Sequence, residues 1–556
     1  MQFNQSLLRL AFFLLPLSGF SQTTFFQQGD KAGLLLERFE IKARKDSQLN
    51  FSKTRPFARN RMMQALAGKG TGLSRVDRYN FDRFLLNNPE WLPDSLKGKG
   101  LSAKPFLKNF YTSPAHLYEV HVKDFDLVIN PVLQLVYSKE KDNDATLFQN
   151  TRGVSLRGRI AKKIGFAAYL TENQERTPSW VRAFEAERRA VPGAGFYKDF
   201  KTTGYDYFDA RGYFTFNVTP YIDVAFGYDR NFIGNGHRSL FLSDFGNNNL
   251  FLKLNTRIWK FNYQNLFMEL HNADNRTGDR LIGKKYAAMH HLDLAVTKWL
   301  NVGLFEAVVF GRPNRFDFGY LNPVIFYRSI EQQNGSFDNS LAGLDIKANL
   351  PRNIQLYGQF MLDEFLLSEI KNNRGWWANK WGLQLGAKYM DAFGIPNLDL
   401  QLEHNRVRPF TYSHGDSVAN YTHYNQPLAH PLGANFKEWI AMARYQPAPK
   451  WLLSGKLIAY TQGKDSSSRS FGSNIFFPNV PPYRQGDFGY GIGDGWNNQV
   501  FLASLLVSYE WKENFFLELN ALIRKRETKT IPLISDNRSV ISIGLRWNMH
   551  RREFDF

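Results

Sequence analysis

The chain has 556 residues, a formal charge of +19, 43% hydrophobic and 15% aromatic residues, a negative mean hydropathy and no cysteine. The missing cysteines exclude disulfides, thiol catalysis and thiolate metal sites, and after the first twenty residues no apolar run is long enough for a spanning helix. A membrane protein of this composition has to be built from strands, whose alternating faces average to a polar-looking sequence.

Arg9 supplies a positive start, Leu10 to Leu17 a short apolar run and Gly19-Phe20-Ser21 a small-residue cleavage site, so residues 1–21 read as a signal peptide. The run is too short to cross about 30 Å of hydrocarbon. Residues 22–115 read as a periplasmic helical segment and its connector. Leu34, Leu35, Phe39 and Ile41 fall on or near one helical face, Pro56 follows Arg55 where a second helix could start, and Ser74-Arg75-Val76-Asp77 resembles a capping box before Phe81, Phe84 and Leu85. Three short helices are predicted, and the Pro and Gly content between Asn87 and Pro114 marks the connector. From Gln22 to Tyr111, 17 Lys/Arg stand against 8 Asp/Glu, close to half the surplus of the whole chain.

From about Asp124 the apolar period changes to two. Leu250, Leu252, Leu254, Thr256 and Ile258 alternate with Phe251, Lys253, Asn255 and Arg257, so one face suits lipid and the other mostly water. Tight turns near Lys162, Pro220, Lys260, Leu300, Pro351, Pro396, Pro449 and Trp511 alternate with longer polar stretches, the spacing of short periplasmic turns and longer outer loops. With a first strand near 124–137 and a last near 538–549, the pattern predicts an all-β fold. It is a transmembrane antiparallel β-barrel of about 18 strands over residues 116–556; shifting the strand boundaries would allow 16. Ile541, Ile543, Leu545, Trp547 and Met549 form an amphipathic final strand, and with Phe556 at its end it resembles the assembly signal of outer-membrane barrels. The expected location is therefore the cell outer membrane. Aromatics near strand ends, among them Trp259, Trp299, Trp451 and Trp511, suit the headgroup level.

Neither a nucleophile elbow nor a metalloprotease helix motif is present, so the chain reads as a non-enzyme. His290 and His291 sit on a strand, point to opposite faces and cannot chelate together. His414, His423 and His430 share one loop at spacings that match no metal-ligand pattern, so they read as solvated histidines and no metal or cofactor is expected. Without a recognisable nucleic-acid module, the basic balance does not imply DNA or RNA as a partner. Lumen-face charges such as Arg157, Arg211, Lys253, Lys347 and Lys388 are matched by Asp209, Asp223, Asp293, Asp345 and Asp399. That balance predicts ladders of pairs bracing the wall and leaves binding to the outer loops.

Three loops stand out. Residues 178–190, with Trp180 and Arg182, have a proline start and a helical composition that suits the barrel mouth. Residues 312–333 gather Arg312, Asn314, Arg315, Tyr327 and Arg328, and Arg forks with amides match carboxylate- and hydroxyl-bearing sugars. Salt bridges that cap the loop are the competing reading. The third runs from Ile233 to Asp244 and holds Asn235, His237, Arg238 and Asp244. Its Gly-x-Gly-x-x-Ser-Leu-x-Leu-Ser pattern (Gly234, Gly236, Ser239, Leu240, Leu242, Ser243) resembles a loop of the capsule assembly protein Wzi family, with departures at Phe232-Ile233, Asn235 and Asp244-Phe245-Gly246.

That resemblance implies a lectin-like outer-membrane barrel that binds or organises exported surface polysaccharide in capsule assembly or attachment. It also brings in gliding-associated relatives. The partners it implies are surface polysaccharide, outer-membrane lipid and lipopolysaccharide, and other envelope proteins through the basic helices. A structural part of a gliding or secretion apparatus and a diffusion porin are the alternatives. A TonB-dependent transporter does not fit, because the segment ahead of the barrel is too short and too helical for a plug domain.

Overall fold

The computed structural model describes residues 23–66, 69–92, 106–272, 281–312, 315–324, 326–466, 469–530 and 532–556. The expected signal peptide and Asn314 lie outside them. Eighteen antiparallel strands close a barrel, from Phe125–Glu140 to Ile534–Trp547, and these two pair from Trp547 with Leu133 to Val540 with Glu140. Tight turns at 161–163, 220–221, 259–260, 296–299, 351–353, 390–397, 446–450 and 513–514 occupy the expected places.

Alternation along the strands separates the two faces. Leu304, Leu344, Ile346, Leu385, Leu505 and Ile541 are exposed on the outside, where hydrocarbon completes their burial, and Trp259, Trp451 and Trp511 stand at the tight-turn rim. Among the described residues no helix is long and apolar enough to cross a membrane; the strands do the crossing.

Among the described residues three α-helices precede the barrel: α1 (Lys31–Ala43), α2 (Arg59–Leu66) and α3 (Arg75–Leu86). The Ser74 hydroxyl accepts the Asp77 N–H at 3.0 Å, so the predicted cap forms. Leu35, Leu36 and Phe39 of α1 pack with Met62, Met63 and Leu66 of α2 and with Phe81 and Phe84 of α3, whereas Leu34 is exposed.

This bundle sits inside the lumen, and that corrects the expected ladders along the wall. Some wall pairs do form, such as Arg211 with Asp209 and Arg159 with Asp126. Many wall charges, however, meet the bundle or the strand that joins its helices. Arg38 reaches Asp77 at 3.0 Å and also Asp399, Lys388 meets Glu37, and Lys347 meets Glu40. Arg61 binds Asp223 at 2.5 Å, and Arg157 binds Glu90 at 2.7 Å. Lys53 lies between Asp293 and Asp345. Burial disfavours the Glu37 carboxylate, but Lys388 and Arg444 outweigh it and hold its pKa down to about 2. Charges of both signs on the segment and on the wall therefore neutralise one another within the barrel.

The outer half of the lumen is closed by a dry core. Leu266, Met268, Met289, Phe305, Ala307 and Val309 face inward there and pack against Leu240, Phe241 and Leu242 from the loop at 230–248 and Tyr412 and Tyr421 from the loop at 408–435. The lumen face is thus apolar in this half, against the expectation that it wants water. The last strand ends at Trp547, and residues 548–556 turn back up the lumen. Arg551 meets Glu518, Arg552 meets Glu175, and Asp555 meets Lys456 and Arg238. Phe556 packs under Trp180 and so does not end the strand; the terminal aromatic of the strand is Trp547.

Candidate functional site

The expected binding residues do not form one surface. Ile233 and Phe232 pair with Thr54 and Arg55 of the N-terminal segment, which draws the Gly-x-Gly loop down into the lumen. A side chain at Gly236 would stand 2.6 Å from the Glu403 carboxylate and from the Arg238 carbonyl, so the close approach requires glycine there. Asn235 is buried, and its carbonyl accepts from Lys388 at 2.6 Å. His237 meets the Asp555 carboxylate at 2.8 Å, and Arg238 donates to it at 3.0 Å. Asp244 is half-buried, its carbonyl accepting from Arg230. These residues brace the lumen and do not face the exterior.

Trp180 and half-buried Arg182 lie on α4 (Ser179–Arg188), where Trp180 is 6% exposed against Phe556 and Val540. Arg312 is held by both oxygens of Asp338, at 2.8 and 2.7 Å, so the capping reading applies to it. Tyr327 is fully buried on α5 (Tyr327–Gln333), while Arg315 and Arg328 are exposed. The histidines are not solvated either: His430 is buried on Glu438, and His423 is buried and accepts the His271 N–H.

An exposed platform does form on the outer side, from residues that the sequence patterns did not single out as a site. The segment at 365–379, which includes α6 (Leu367–Asn372), meets the loop at 465–495. The guanidinium of Arg374 lies 4.2 Å over the Phe488 ring, and that of Arg484 lies 4.2 Å over Trp377. Phe477 and Tyr483 stack at 5.8 Å with 15° between their planes. Arg374, Phe477, Tyr483 and Phe488 are exposed, so ring faces and a guanidinium stand in water, the guanidinium also donating to both oxygens of Glu369 at 3.2 and 2.5 Å. The signal in the sequence was the density of Trp, Tyr, Phe and Arg in two loops that have no strand period.

The sequence matches the capsule assembly protein Wzi family over residues 212–519, more than half of the chain. The chain belongs to that family. No curated protein matches it in sequence. Wzi of Escherichia coli, described as a carbohydrate-binding outer-membrane β-barrel involved in group 1 capsule assembly, shares the fold at a TM-score of 0.56 and 13% identity, over 95% of this chain and 100% of that one. The OprD barrel of Pseudomonas aeruginosa matches at a TM-score of 0.41 and 12% identity, over 76% and 94%. The protein is an outer-membrane β-barrel.

In this Wzi-family barrel, α4 roofs the tail that climbs the lumen, and its packing depends on an acid. Glu185 is 2% exposed and accepts from Thr177 at 3.1 Å; burial, with the like charge of Glu175, pushes its pKa up to about 8. The carboxyl stays protonated below about 8 in the packed helix but ionises from 4.5 upward when the helix lifts. Packing therefore loses stability as the pH rises through that window, and lifting becomes about tenfold easier between about pH 7 and pH 9. Hydrogen exchange of α4 should show this rise, and Glu185→Gln should flatten it; equal profiles for both proteins would refute the assignment.

Proposed function

We propose that the protein binds and organises exported surface polysaccharide at its outer face, with the loops at 365–379 and 465–495 as the contact surface. The observation that carries this reading is the exposed set Arg374, Tyr483 and Phe488 above a lumen whose outer half is closed. Sugar rings stack on aromatic faces, and arginine forks pair with uronate or hydroxyl groups. Family membership and the description of E. coli Wzi as a carbohydrate-binding barrel support it. The lumen supports it in another way: with bundle, inward loops and tail packed inside, recognition falls to the loop tips, where the chain is in water and free to vary.

Substitution of Arg374, Tyr483 and Phe488 together by Ala is expected to lower polysaccharide retention by whole cells about tenfold or more, since each ring contact contributes ~0.5–1.5 kcal/mol. Heat-modifiable migration should stay as in the parent. Retention equal to the parent's would remove this surface from the reading, and unchanged binding by a strain lacking the protein would remove the reading itself.

A further inference from the structure

The segment between the strands Leu300–Phe310 and Asn339–Leu350 does not rise from the mouth but folds back down the outside of the wall. Phe316, Tyr320 and Tyr327 pack there on Phe267, Tyr286, Ala288, Val308 and Phe310, all on the outward face. Beneath them lies a polar group at mid-wall. Glu306 meets His290 at 2.7 Å and accepts the Tyr327 N–H at 3.0 Å, and the His290 and Tyr327 rings lie 4.0 Å apart. A carboxylate and an imidazole facing hydrocarbon would be costly, and the segment covers both.

The depth follows from the register. Tyr263 donates to the Pro323 carbonyl at 2.7 Å, and Tyr263 pairs with Leu292, which pairs with Leu304. From Phe310 to Leu304 is about 20 Å along the strand at ~3.3 Å per residue. With the usual tilt the segment reaches about 15 Å below the outer strand end, well into an apolar band ~25 Å tall. Its outer surface is graded. Val324 and Phe326, 81% and 73% exposed, lie at the deepest point and continue the lipid-facing band of Leu304 and Leu344. Arg315 is exposed next to Phe316 near the outer strand end, and Arg328, ion-paired with the buried Glu331 at 2.7 Å, is exposed on the limb that returns from Tyr327 to that end.

Apolar depth below and cations above form the complement of an amphiphile with acyl chains and phosphates in the outer leaflet. We propose that residues 315–324 and 326–337 are an intramembrane seat for the lipid A part of lipopolysaccharide, with chains against Val324 and Phe326 and phosphates on Arg315 and Arg328. The inference stands apart from the polysaccharide reading, since it uses neither the outer platform nor the lumen.

Because the chain has no cysteine, single variants Val324→Cys and Phe326→Cys take one fluorescent label each, with Asp487→Cys in an outer loop as reference. In the full protein refolded into bilayers, brominated-chain lipid should quench the labels at 324 and 326 but not at 487, and aqueous iodide should do the reverse. Native mass spectrometry should then show about tenfold lower retention of added lipid A in Arg315→Glu/Arg328→Glu, with retention of phosphatidylglycerol unchanged. Iodide quenching at 324 would put the segment outside the membrane and overturn the proposal. Equal lipid A retention in variant and parent, or a cross-link from Cys at 324 to another protein in cells, would overturn the seat for lipid A.

Discussion

Lys53→Met is expected to unseat the helical bundle and open the barrel to ions. Lys53 is 2% exposed and lies between Asp293, at 3.0 Å, and Asp345, which also holds His291 at 2.6 Å. Methionine keeps the length of the side chain but leaves two buried carboxylates without their cation, a loss of about 3–5 kcal/mol. The parent should be nearly silent in planar bilayers, whereas the variant should show current bursts and lose heat-modifiable migration at a lower temperature. Lys69→Met, at the more exposed pair with Asp46, should cost about 1 kcal/mol or less. A silent Lys53→Met of unchanged melting temperature would show that this pair does not hold the bundle.

Phe241→Ala should be as severe, for a different reason. The ring is fully buried inside the barrel and stacks on Phe305 at 4.4 Å with 5° between the planes. Tyr421 donates to its carbonyl at 2.7 Å, so the loop at 230–248 is held from two sides. Removing a buried phenyl group leaves a cavity the surrounding wall cannot close, at about 3–5 kcal/mol. Arg315→Ala, on an exposed side chain, should change stability by roughly 0.5 kcal/mol or less. The contrast is decisive for the motif loop. If Phe241→Ala melts like the parent but loses polysaccharide, the loop is a contact surface; loss of melting temperature with retained binding makes it a strut.

Much of the barrel was legible because strand chemistry is local. The alternation of Leu250 to Ile258 and the turns at Lys162, Pro220 and Pro351 follow from residues adjacent in the chain, and a period of two assigns one face to lipid wherever the strand lies. The Ser74 cap is equally local. The dry half of the lumen left a weaker trace: in Leu266-Phe267-Met268 and Val308-Val309-Phe310 both faces turn apolar, which marks strands covered on both sides. Neighbouring strands keep the regular alternation, which masks that trace.

The candidate site was less legible, because loop residues are chosen by contacts made across the barrel. Arg238 looked like a glycan ligand until the tail brought Asp555 against it, and Tyr327 until its segment folded over His290 and Glu306. Trp180 is a roof over Phe556, 376 positions away in the chain. Nothing in the residues around Trp377 signals that Arg484 will stack on it, since the two meet only when separate outer loops converge.

Composition, strand period and turn spacing by themselves determined the barrel, the helices ahead of it and the outer-membrane location, because each depends on neighbours in sequence and on the bilayer as solvent; they narrowed the strand number to 16 or 18, and barrel closure fixed it at 18. Tertiary structure alone decided what fills the lumen and which charges meet. Ion pairs such as Lys53 with Asp345 and Asp555 with Lys456 join segments whose separation no local pattern encodes, and in a low-dielectric lumen each buried charge is tolerated only where the fold supplies its counterpart.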